Sequence, residues 1–159
     1  MNPPSNPSSE ALTERLESLE ELLESPLVPG EMRVWLEGVR DELRDLEKSF
    51  AAQRGRSHRA QFDEIEQTDG EMFSLTEKLR EEDDAIASEI SRLASTFATA
   101  VSTVETVEER PQNDEGQVAS VIPPLVADAL ALVIRIRMQE KAIATWFVEA
   151  FQRDRGIAD

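Results

Sequence analysis

The chain has 159 residues, 40% hydrophobic and 31% charged, with 33 acidic against 17 basic side chains, a formal charge of −16 and no cysteine. That length suits one domain with its own core, and the mixture of apolar and charged residues fits a soluble globular protein rather than a disordered one. Without cysteine there is no disulfide, thiolate metal site or cysteine nucleophile, and the negative field repels phosphate backbones and anionic headgroups, so neither nucleic acid nor a membrane is expected as a partner.

The opening MNPPSNPSSE has neither the basic nor the apolar stretch of a signal peptide. No apolar run approaches the roughly 18 to 20 residues that cross a bilayer, and a cytoplasmic protein is expected. Pro3, Pro4 and Pro7 among Ser and Asn predict a disordered tail over residues 1 to 8, followed by a single helical domain over 9 to 159.

From Ser9 to about Ser25, Leu12, Leu16, Leu19 and Leu23 recur at steps of four and three, the period of one buried helix face. SPLVPG at 25 to 30 stops this helix, because Pro26 and Pro29 bias the residues before them away from α geometry. A second helix opens after Gly30 and aligns Met32, Leu36, Val39, Leu43, Leu46 and Phe50. The next step of three lands on Gln53. RGRS at 54 to 57 is expected to fray or bend the chain at Gly55, with Phe62 and Ile65 on a short helix ending near Gln67.

Thr68 and Glu71 have the spacing of a capping box and predict a new helix start. Its core line is Met72, Leu75, Leu79, Ile86, Ile90, Leu93, Phe97, Val101 and Val104, interrupted at Glu82 and Asp83. ERPQNDEG at 109 to 116 predicts a turn. The last line is Leu125, Ala129, Leu132, Ile136, Ile143, Trp146 and Ala150, with Gln139 at the missing step. Pro123 and Pro124 must kink this segment or start it, leaving any helix over 115 to 122 as a separate arm or across a bend.

No period-two alternation marks a strand, and the expected fold is all-α, an antiparallel four-helix up-and-down bundle with an additional short helix. Val34, Trp35 and Phe147 flank the core lines and are expected to widen the core.

Bundles build their sites from side chains on facing helices, so chemistry is sought where polar residues interrupt apolar stripes, at Gln53, Glu82 or Asp83, and Gln139. Each either reaches water at the stripe edge or hydrogen-bonds a neighbour. Buried amides would bond each other, Asp83, an arginine or ordered water. His58, beside the RGRS break, is expected at the surface or a boundary, and the adjacent pairs Glu81–Glu82 and Asp83–Asp84 are expected mostly to face solvent.

Three stretches resemble the hemerythrin-like (HHE-type) family of metal-binding helical bundles. QEKAIATWFVEAFQRDRGIAD, 139 to 159, resembles that family's last helix through Glu140, Glu149, Ala150, Phe151, Asp154 and Gly156, with Arg155 where isoleucine stands and Gln139 where a ligand histidine stands. LEKSFAAQ, 46 to 53, is similar to its first-helix segment, with Gln53 at the histidine position. FDEIEQTDGEMFSLTEKLREEDDAI, 62 to 86, resembles the stretch leading to a Glu-His step, here Glu82 and Asp83.

The resemblance implies a helical bundle and, in active members, a carboxylate-bridged pair of irons held largely by histidine, used to bind or sense oxygen. At Gln53, Asp83 and Gln139 the implied ligands are replaced, and an amide oxygen is a feeble substitute for imidazole nitrogen. A ferritin-type site fails because Gly55 stands three before His58, and a calcium loop over 63 to 70 fails because Ile65 and Gln67 occupy ligand places. The expectation is a degenerate member without enzymatic activity, cofactor or resident metal, serving as a scaffold or an interaction module derived from a sensor. A protein partner or homo-oligomer follows from that role. The alternative is a protein that binds iron or another divalent metal through the oxygens of Glu64, Glu82, Asp83 and Glu140.

Overall fold

The computed structural model of the chain describes residues 6–109 and 115–156. Among them the regular structure is helical throughout and no strand occurs.

Helix α1 spans Pro7–Glu24. It starts two residues before Ser9, because the Asn6 side chain accepts the Ser8 N–H at 3.1 Å and Pro7, with no N–H to satisfy, suits the first turn. Of the expected tail, residues 1 to 5 lie outside the described residues. Leu12, Leu16, Leu19 and Leu23 of α1 are buried, and the helix ends as Ser25 turns extended before Pro26. Gly30, at φ +87°, makes the turn into the next helix in a conformation that L side chains rarely adopt.

Helix α2, Met32–Gln53, buries Leu36, Val39, Leu43, Leu46 and Phe50. Trp35 joins them and donates its indole N–H to the Leu22 carbonyl at 3.0 Å, tying α2 to the end of α1. Phe147 is half-buried beside the core, whereas Val34 is exposed and does not widen it.

The chain does not break at Gly55. A π-helical turn, Arg54–His58, carries α2 directly into α3, Arg59–Thr68. One extra residue accommodated in a helix costs less than ending and restarting it. The capping box expected at Thr68 is displaced as well: Thr68 closes α3, and the Asp69 side chain accepts the Glu71 N–H at 3.1 Å. A 3-10 turn, Gly70–Met72, then leads into α4, Phe73–Glu109.

Helix α5 runs Glu115–Gly156 with Pro123 and Pro124 inside it. Both prolines are exposed, where carbonyls deprived of a helical partner can be hydrated, and Val118, Ile122 and Leu125 around them are buried in one cluster. The segment over 115 to 122 is therefore no separate arm. The turn expected at 109 to 116 falls largely on residues 110–114, outside the described residues. By length and composition α5 is apolar enough to cross a membrane over an 18-residue window, a third of which is buried inside the protein. Asp128 is the lone charge between Gln117 and Ile134, so the sequence does hold an apolar run of that length.

Helix α2 packs on α1 and α4, and α5 packs on α4, α3 and α1. The large apolar cluster, built from α1, α2, α4 and α5, reaches Phe50, Ile86 and Ile136. Two small clusters lie beyond it, Phe62 with Leu79 and Ile143, and Ile65 with Met72 and Ala150. A polar layer interrupts the core between them.

Candidate functional site: a buried polar layer

The interior line of α2 passes through Leu46, Phe50 and Gln53, and that of α3 through Phe62 and Ile65. Stepping back four from Phe62 reaches residue 58, and the two lines meet only if the next inward residue follows Gln53 by a step of five. The π turn supplies that step and rotates His58 inward, so that it is 1% exposed. The expected surface position for His58 is corrected accordingly. A spacing of four or three would instead have placed Ser57 or Arg56 inside.

His58 faces carboxylates through both ring nitrogens. Nδ1 is 2.8 Å from Asp83 Oδ2, and Nε2 hydrogen-bonds Glu140 Oε1. Asp83 is buried, contrary to the expected solvent-facing pair with Asp84, and its Oδ1 accepts from Gln139 Nε2 at 2.9 Å. The same Gln139 amide donates to the Leu79 carbonyl at 2.8 Å. Gln53 Nε2 donates to Glu140 Oε2 at 2.9 Å. Phe50 and Phe62 close on the imidazole, with ring centroids 6.1 and 5.9 Å away.

Ionised carboxylates only accept hydrogen bonds, so two of them on one imidazole require a proton on each nitrogen. Burial alone would lower the His58 pKa, but the hydrogen bonds and negative charge of Asp83 and Glu140 prevail and raise it to about 9. The layer thus carries its own cation, an imidazolium. Arg54 stands at its edge, with Nε 3.8 Å from Asp83 Oδ2. Gln53 Oε1 is buried and makes no hydrogen bond. Flipping that amide would set oxygen against a carboxylate oxygen, so the orientation with nitrogen toward Glu140 is the favourable one.

Glu140, a quarter exposed, lines a cleft of about 140 Å³ with Leu12 and Leu16 of α1 and connects the layer to solvent. Gln53, Asp83 and Gln139 therefore lie in one layer, as their stripe positions indicate. Gln139 meets Asp83, whereas Gln53 meets Glu140, a partner not among those expected for it. The proposed oxygen-ligand set is not assembled: Glu64 is exposed on α3, and Glu82 is turned to Arg135, whose Nη2 lies 2.9 Å from it. Among the described residues no group of three His, Asp or Glu side chains is disposed to hold a metal ion. No family model, curated protein or solved structure matches the chain.

Proposed function

We propose that this chain is a non-catalytic, cytoplasmic helical module of hemerythrin-like type, in which a protonated histidine takes the place of the metal. The proposed arrangement is an antiparallel four-helix bundle, with α2 and α3 forming one rod. It is supported by the cycle of contacts from α1 to α2, α4, α5 and back to α1. Its role would be that of a scaffold or protein-interaction module.

The observation that carries the reading is that both His58 nitrogens face carboxylates. An imidazolium so held has no lone pair to give to a metal and none to accept a proton as a general base. The residues present do not fit a di-iron centre: there is one histidine in the chain, and Gln53 and Gln139 are weak ligands. The test is metal content of freshly purified protein, followed by calorimetric titration with Fe²⁺, Mn²⁺, Mg²⁺ and Ca²⁺. Absence of metal and of heat is expected; a stoichiometric pair of irons per chain would overturn the proposal.

The second reading, a divalent-metal protein with a carboxylate-rich site, draws on the unpartnered Gln53 oxygen beside Glu140. Saturable heat with Mn²⁺, abolished by Glu140→Gln, would favour it.

A further inference from the structure

Between Glu47 and Asp63 there is no carboxylate, yet this stretch carries Lys48, Arg54, Arg56, His58 and Arg59 in a chain whose net charge is −16. The π turn sends His58 inward and leaves Arg54 half-buried and Arg59 exposed on the other side. There they line a cleft of about 490 Å³ together with Phe62, Arg80, Asp83 and Asp84. The volume lies within the usual range for small-molecule sites.

The cations of this cleft are unequally satisfied. Arg80 bonds Glu66 and Asp63 and stacks 5.3 Å above the Phe62 ring. Arg54 bonds Asp84 and stands 3.8 Å from Asp83. Arg59 pairs with no carboxylate among the described residues. We propose that this cleft binds a small phosphate-bearing anion, with Arg59 as its primary ligand and Arg54 and Arg80 as secondary ones.

Charge decides between anion classes. Asp83 and Asp84 already offer carboxylates to Arg54, so a carboxylate ligand gains nothing over them. A dianion with three acceptor oxygens can engage Arg59 and outcompete a single carboxylate for a second guanidinium fork. The cleft shares Asp83 with the polar layer but uses none of its amides, and its proposed primary ligand, Arg59, pairs with no carboxylate of that layer, so the site stands apart from the metal question.

The test is an NMR titration of the ¹⁵N-labelled full chain with sodium phosphate, with a phosphomonoester such as glycerol phosphate, and with acetate and chloride at matched ionic strength. Saturable shifts of amides in 54 to 62 and 80 to 84 are expected with phosphate, the phosphomonoester or both, and none with acetate or chloride. Tighter binding of one phosphate source identifies the ligand as free or esterified phosphate. Arg59→Glu is expected to weaken binding by about tenfold or more, while Arg44→Glu, an exposed change elsewhere on α2, leaves it within about twofold. Equal shifts with acetate, no saturation, or undiminished affinity in Arg59→Glu would each overturn the proposal. The spectrum of each variant reports whether it is folded.

Discussion

Gln53 and His58 stand five residues apart on one interior line, and the π turn between them brings both side chains to Glu140. Gln53 binds one carboxylate oxygen and His58 the other, so a single added residue in a helix sets the composition of the core layer.

Stability should depend on pH through this histidine. Its pKa rises from 6.5 to about 9 on folding. The protonated state therefore stabilises the fold fully below pH 6.5, and the contribution is lost as pH climbs through 9. The loss should be of the order of 3 kcal/mol. Urea midpoints between pH 6 and 10 measure it. Because the chain has one histidine, its imidazole proton resonance can be followed without assignment, and a titration at or below 6.5 would contradict the ion-paired geometry.

Removing the imidazole should be costly. His58→Ala takes the imidazolium from both carboxylates, leaving Asp83 only the Arg54 cation at 3.8 Å, a loss of about 3 to 5 kcal/mol. Combining it with Asp83→Asn should cost less than the sum of the single changes, since one variant removes the other's partner. Denaturation curves for the four proteins give the coupling, and strict additivity would count against a shared ion pair.

The two glutamines should differ. Gln139→Leu removes two hydrogen bonds and strips Asp83 Oδ1 of its donor, at about 1 to 3 kcal/mol. Gln53→Leu removes one bond while also eliminating an oxygen that is buried without a partner, so its cost should be the smaller. Equilibrium unfolding ranks them, and the reverse order would be inconsistent with these contacts.

Gly55 offers a test of helix continuity. Nothing lies within 4 Å of a Cβ added there, and the position sits in helical backbone. Gly55→Ala should stabilise by about 0.5 to 1 kcal/mol. A fall in thermal midpoint would instead indicate a break that needs glycine.

Much of the fold was legible because helix formation and amphipathicity are local. Leu12, Leu16, Leu19 and Leu23 show their burial by spacing alone, as do Ile86, Ile90, Leu93 and Phe97. The prolines misled in both directions: at Pro7 proline starts a helix that composition had denied, and at Pro123 and Pro124 the helix continues through two prolines that face solvent. The signal for His58 was present as a phase error of one residue between the lines ending at Gln53 and resuming at Phe62, which can be mended by a break or by a π turn.

Periodicity alone determined the main inward-facing lines, though not the burial of His58 or the exposure of Val34, and that polar groups interrupt three stripes. Tertiary packing alone decided who meets whom, since His58 reaches Asp83 across 25 residues and Glu140 across 82. Spacing along one helix fixes a direction around its axis, but contact between helices depends on their relative register, and a half-turn's shift would exchange every partner in the layer.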